Sequence, residues 1–360
     1  IVSWVASGEL VGAELLIVKD GRAAFHEAYG WSDREEMRPV ERSSIWSIKS
    51  MSKPFTATAI LMLADDGDLS LDDPVSRYVP GFAGHDGTSI RHLLSHTSGY
   101  REEIGDPRPE HESLGDWVQD GASKEPTGAL GEFHYSDFNY GALGFIVEIV
   151  SGTSIDAFTE TRIVRKLGLR DTSTGFSSDP AWRARLNPWY RWNERGGSFD
   201  LRWTSDWKGW PFYTAAWGMF STAMDYAVFM SMWMNEGEWN GERLLSELAV
   251  DEALRPHGRI GESYAYGHGW YLDDVEGLDR RPFGHGGGDG TESWAIPADD
   301  AIVIFLTHSR WGPWHSAFWN RVGMSGLFEH YPGLGMDWAT MQWATEAGVS
   351  EIDLSPKQRA

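Results

Sequence analysis

Ser50-Met51-Ser52-Lys53, with Phe55-Thr56-Ala57-Thr58-Ala59-Ile60-Leu61-Met62-Leu63-Ala64 close behind it, is the stretch around which the chain is organised. Successive helix residues turn by about 100°, so a serine and a lysine three apart share one face and their heads can meet. Such a pair is a nucleophile beside its base. Pro54 is compatible with a helix here, because the first amides of a helix have no internal partner. The spacing therefore predicts a helix that begins close to Ser50, with the hydroxyl near the positive end of the macrodipole. Asp65-Asp66-Gly67 stops it, Gly67 being suited to the left-handed position after the last turn.

The chain has 360 residues, 41% of them apolar, enough to bury a large core in one big domain or two interleaved ones. A formal charge of −22 argues against nucleic acid or an anionic membrane as partner, since both select a basic footprint. The absence of cysteine removes disulfides, thiolate catalysis and cysteine-ligated zinc. No apolar run approaches the eighteen or so residues that span a bilayer. The chain begins at Ile1 rather than methionine, which leaves room for a secretory leader upstream, so the compartment stays open.

Along the chain, residues 1–12 read as a short amphipathic helix. The runs 13–18 and 23–29 read as a hairpin, because Asp20-Gly21 between alternating apolar runs is a strong hairpin signal. A short strand is expected at 45–48, and helices at 139–150, 155–167, 223–234 and 244–254. Strands are expected at 269–272, 282–284, 293–296 and 302–307, then a mixed helix with Trp314, Phe318 and Val322. Residues 101–130 read as a long surface loop with one short helix. His92 and His96 stand four apart, but no H-E-x-x-H arrangement accompanies them, so they read as structural histidines and no metal is expected. In 182–217 the rings of Trp182, Trp189, Tyr190, Trp192, Trp203, Trp207, Trp210, Phe212, Tyr213 and Trp217 follow no period, which predicts an irregular segment folded onto the domain or a ligand.

Strands at both ends with helices between them predict an α+β architecture. One subdomain, 1–64 with 255–345, would hold an antiparallel sheet flanked by helices. A mainly helical subdomain, 65–254, would be inserted in it and carry the Trp-rich loop 182–217, and 346–360 would be a tail. The Ser50 helix would sit at the junction, where clefts and sites form.

Two further signals follow the first in order: Tyr135-Ser136-Asp137 and His285-Gly286-Gly287. Together the three resemble the serine β-lactamase and penicillin-binding-protein superfamily, in its branch of class C β-lactamases, family VIII esterases, D-aminopeptidases and D-amino-acid amidases. The segments 90–99 (IRHLLSHTSG), 132–144 (EFHYSDFNYGALG), 218–229 (GMFSTAMDYAVF) and 284–290 (GHGGGDG) look like that branch's recurrent text, and the likeness runs over roughly 10–310. A rival reading of residues 285–288 as the HGGG loop of lipases fails, because no G-x-S-x-G elbow exists in the chain.

The resemblance implies a β-lactamase/transpeptidase-like fold and a serine hydrolase acting through an acyl-enzyme. Ser50 would be the nucleophile, with Lys53 and Tyr135 as the pair that takes and relays its proton; the residues leave open which of the two is the base. The oxyanion hole would be the amides of Ser50 and Gly288. His285, Gly286, Gly287 and Asp137 would border the substrate, and Trp207, Trp210 and Trp217 would line its acyl pocket. Two departures bear on the substrate. His285 stands where the family often has a lysine that attracts a carboxylate, which favours neutral esters or amides. Asp137 stands where asparagine is usual; as a carboxylate it only accepts, so it would hold Lys53 as an ammonium or receive an amine of the substrate. The expectation is an esterase on neutral, bulky or aromatic esters, with D-amino-acid amide hydrolysis or acyl transfer as alternatives, and a non-turnover binding or sensor protein as a rival of another class. No cofactor is implied, the partner is a small ester or amide, and the oligomeric state is open.

Overall fold

A computed structural model describes residues 1–101, 111–203, 211–260, 264–273 and 280–310. The expected helix around Trp314, Phe318 and Val322 and the tail 346–360 lie outside the described residues, as do Trp207 and Trp210.

Nine strands form one antiparallel sheet in the order Gly258–Ile260, Tyr264–Tyr266, Tyr271–Asp273, Phe283–Gly286, Glu292–Ile296, Ala301–Thr307, Gly12–Lys19, Arg22–Asp33 and Arg38–Pro39. Its founding hairpin turns on Asp20 (φ +50°) and Gly21 (φ +68°), the two left-handed residues that a tight two-residue turn demands. The first strand pairs next with Ala301–Thr307, so the two ends of the described chain share the middle of the sheet.

Those two central strands are buried on both faces, and their alternation sorts side chains between two cores. Leu16, Val18, Ile302, Ile304 and Leu306 join the large core shared with the helices. Ala13, Leu15, Ile17, Val303 and Phe305 face the other way, toward Trp4, Tyr190 and Phe199. The helix Lys53–Asp65 is sealed inside the large core: every residue from Lys53 to Leu63 is buried, and Phe55 stacks on Phe229 with centroids 3.8 Å apart. Burying one such ring contributes about 1.5–3 kcal/mol. The helix Asp137–Ser151 enters the same core, and Gly152 ends it in the left-handed conformation.

Two local expectations are corrected. Residues 155–167 are not one regular helix: a π-helical turn, Glu160–Val164, separates Ile155–Thr159 from Arg165–Leu167. Buried Phe158 and Ile163 are five apart, and a wider turn keeps both facing the core. The Trp-rich segment is more ordered than its lack of period suggested. It contains the helix Pro180–Ala184 and a hairpin of Trp189–Asn193 with Ser198–Trp203, and Trp189–Asn193 also pairs in parallel with Ser309–Arg310. Tyr190 and Phe199 from that hairpin cover the second face of the sheet. Among the described residues no single helix is long and apolar enough to cross a membrane.

Candidate active site

Ser50 does not open the α-helix directly. It sits in a 3-10 turn, Lys49–Ser52, and the α-helix starts at Lys53. The second serine of the motif explains why this turn is held. The Ser52 hydroxyl donates to the Lys49 carbonyl at 2.6 Å and accepts the Met219 amide at 3.2 Å, while Ile48 donates to the Met219 carbonyl. Lys49 itself stands at φ +47°, a conformation that costs a lysine about 1 kcal/mol or more and marks a backbone held by its surroundings. Ser50 remains partly exposed, so its hydroxyl is reachable.

The three-residue spacing still brings the two heads together. Lys53 Nζ donates to Ser50 Oγ at 3.3 Å, to Asp137 Oδ1 at 2.5 Å and to the Ala216 carbonyl at 3.1 Å. Three acceptors match the three donors of an ammonium. Lys53 is wholly buried, so its amine depends on these partners, with the Asp137 carboxylate at the shortest distance. The Tyr135 ring lies 4.6 Å from Nζ, in reach of a cation–π contact. Tyr135 is held in turn by His96, whose ring lies 4.4 Å away, and His96 Nδ1 accepts the Ser136 amide at 3.2 Å. Burial, with Lys53 and His285 as lesser causes, keeps the His96 imidazole neutral.

The third motif lies on the strand Phe283–Gly286 and the turn after it. His285 does not present a donor to a ligand. Its Nδ1 lies 2.8 Å from the Gly286 carbonyl, which can only accept, so that nitrogen carries the proton; Nε2 then accepts the Tyr266 hydroxyl at 2.9 Å. Burial first, and the Lys53 charge second, push its pKa down to about 3, while the bond to Gly286 pulls the other way. Burial likewise keeps the Tyr266 phenol protonated. Gly287 is where the two turns touch: a Cβ there would sit 2.5 Å from the Ile48 carbonyl, so only glycine allows this approach. Gly288 is exposed. Gly287 and Gly290 make the turn's backbone bonds, and among the described residues neither the Ser50 nor the Gly288 amide donates to a backbone carbonyl.

Several neighbours carried no signal in the sequence. Tyr271 stacks parallel to Tyr135 with centroids 6.3 Å apart, and Tyr266 stands edge-on to Tyr271. The Ala216 carbonyl that receives Lys53 lies in an irregular stretch behind the left-handed Ala215. Trp217 is nearly buried, with Lys49 Nζ 5.9 Å from its ring; Trp189, on the hairpin, lies 5.6 Å from the same nitrogen. No group of three or more candidate metal-ligating side chains exists among the described residues.

Residues 3–323 match the family described as Beta-lactamase. A penicillin-binding protein of Bacillus subtilis is 33% identical over 168 residues, 44% of this chain and 37% of that protein, so the match spans little more than a third of the relative's length. Among solved structures, EstCE1, a hydrolase with promiscuous acyltransferase activity, superposes with a TM-score of 0.75 at 21% identity, covering 86% of this chain and 91% of that one. A D-stereospecific amidohydrolase from Streptomyces sp. gives 0.66 at 23% identity, covering 85% and 92%. At such identities these two likenesses establish the β-lactamase/transpeptidase-like fold.

Proposed function

The chain belongs to the Beta-lactamase family, and from that premise we propose that it is a serine hydrolase that acts through a covalent acyl-enzyme on Ser50. The observation that carries the reading is Lys53, buried and donating at once to Ser50 Oγ, Asp137 and the Ala216 carbonyl. We take Tyr135, whose ring lies 4.6 Å from Lys53 Nζ, as the base, with that nitrogen held by its three partners beside it. Tyr135 takes the Ser50 proton as Oγ bonds to the substrate carbonyl carbon. The oxyanion that forms is met by the amides of Ser50 and Gly288. Collapse breaks the bond to the leaving alcohol or amine, which departs with the proton from Tyr135. Water then gives a proton to the same phenolate and attacks the acyl carbon; collapse breaks the bond to Ser50 Oγ, which takes the proton back from Tyr135 as the acid is released.

The substrate class we infer is a neutral, bulky or aromatic carboxylic ester. His285 has spent both ring nitrogens and offers nothing to a substrate carboxylate, while Tyr135, stacked on Tyr271, flanks Lys53 and the partly exposed Trp189 flanks Lys49, which supplies aromatic surface around the motif. A second reading, hydrolysis of amides of D-amino acids, is favoured by the partly exposed Asp137 carboxylate, an acceptor for a substrate amine. Burst kinetics with a p-nitrophenyl ester, run beside Ser50→Ala, test the proposal. A burst followed by steady release supports it. A burst that stops identifies a trapping or sensor protein, and no burst with Ser50 intact overturns the reading.

A further inference from the structure

Lys49 precedes the nucleophile and Asp289 follows Gly288, so each is the immediate neighbour of one of the two amides given to the oxyanion. Their side chains meet: Lys49 Nζ lies 3.4 Å from Asp289 Oδ2. Arg310 Nη1 approaches the other oxygen, Oδ1, at 3.8 Å. Asp289 is wholly buried, and among the described residues neither of its oxygens makes a hydrogen bond. The carboxylate is therefore flanked by two cationic side chains, one toward each oxygen, the pairing that a buried acid needs. Arg310 also borders Gly288: a Cβ built there would meet only that guanidinium, at 3.9 Å.

We propose that Asp289 is a positioning residue for the oxyanion hole: gripped between Lys49 and Arg310, its carboxylate fixes the turn that carries the Ser50 amide against the turn that carries the Gly288 amide. The inference rests on the reading of Ser50 as the acylated nucleophile and deepens it. The left-handed Lys49 backbone fits this role, since a conformation lysine avoids must be held from outside, and the ion pair to Asp289 is one of the contacts that hold it. The need for such a brace is geometric, because oxyanion donors act only near hydrogen-bond distance and a misplacement of about 1 Å can cost about a hundredfold in rate. The same triad reaches the Trp hairpin: the Trp189 ring lies 5.6 Å from Lys49 Nζ and 5.9 Å from the Arg310 guanidinium carbon.

The experiment uses the full chain, steady-state hydrolysis of a p-nitrophenyl ester, and labelling of Ser50 by a fluorophosphonate. Asp289→Asn keeps the volume and removes the charge; kcat should fall at least about tenfold while KM stays within about twofold, as for loss of a transition-state contact. Lys49→Met should fall in the same direction, and Lys49→Arg should restore kcat to within about threefold, because it returns the charge. A cluster that serves stability alone would lower the melting temperature and leave kcat of the folded protein unchanged, and that result overturns the proposal. If Asp289→Asn does not fold, the two Lys49 variants, at a partly exposed side chain, decide in the same way. Failure of the unmodified protein to label at Ser50 would sink the hydrolase reading instead, whatever the variants do.

Discussion

Lys53 Nζ lies 2.5 Å from Asp137 Oδ1, which sets a carboxylate against the amine of a wholly buried lysine. In the proposed mechanism this carboxylate holds the lysine in place, and the phenol beside it takes the serine proton. Asp137→Asn keeps the shape and removes the charge. A hydrogen bond to a charged group is worth about 1.5–3 kcal/mol, so kcat/KM on esters should fall about ten- to a hundredfold. The check is a panel of p-nitrophenyl esters and D-aminoacyl anilides. Equal activity across the whole panel would make the acid a neutral variant of asparagine.

Two tyrosines in this cluster should separate by phenotype. Tyr135→Phe removes the proposed base and should cost about a hundredfold or more in kcat, with the fold intact. Tyr266→Phe instead leaves the buried Nε2 of His285 without its donor, an unsatisfied group costing about 1–3 kcal/mol of stability. Its effect should therefore appear in a denaturant midpoint before it appears in the rate. If both variants lose activity alike at full stability, the division of roles drawn here is wrong.

Much of this site was legible in the sequence because its motifs are local. A serine and lysine three apart meet whether the turn is 3-10 or α, which is why the Ser50–Lys53 contact survives the unexpected 3-10 turn at Lys49–Ser52. The Asp20-Gly21 hairpin and the helix Ala223–Met234 were equally plain, each set by neighbours in sequence. What was missed is long-range. Tyr271, Ala216, Asp289 and Arg310 reach the site through sheet register and irregular backbone, and no periodicity announces that. The partners of His285 were hidden in the same way: its residue type does not announce that Tyr266 and the Gly286 carbonyl occupy both nitrogens. The Trp hairpin was hidden by its composition, since the eye counts rings where Gly196-Gly197 was the turn that mattered, with Gly197 at φ +61°.

The tryptophans of that region should not behave as one set. Trp217 is nearly buried in the large core, so Trp217→Ala should cost about 3–5 kcal/mol of stability, the range for removing a large core ring. Trp189 is only partly buried and lies near Lys49 and Arg310, so Trp189→Ala should shift preference from bulky toward small acyl esters at a smaller cost in melting temperature. Ratios of kcat/KM for a short and an aromatic p-nitrophenyl ester, measured beside thermal melts, distinguish the two. A Trp189 variant that loses stability with an unchanged ratio would assign the ring to packing alone.

Acid should destabilise the fold through its buried imidazoles. His96, His268, His285 and His308 are all buried with pKa values pushed down, in each case by burial first, and for His285 to about 3 from 6.5. A histidine with a depressed folded pKa contributes its full stability above the unfolded pKa. That contribution is lost as pH falls from about 6.5 toward the folded value, because only the unfolded chain binds the proton in that window; for His285 the slope is about 1.4 kcal/mol per pH unit. Glu14 and Asp225, with carboxyl pKa values raised by burial, act with the opposite sign, since protonation favours their folded forms. The net slope therefore needs a difference measurement. Urea midpoints taken between pH 7.5 and pH 5 should fall for the unmodified protein and fall less steeply for His285→Gln. Parallel slopes for the two proteins would mean that His285 meets solvent protons in the folded state, contrary to its enclosure by Tyr266 and the Gly286 carbonyl.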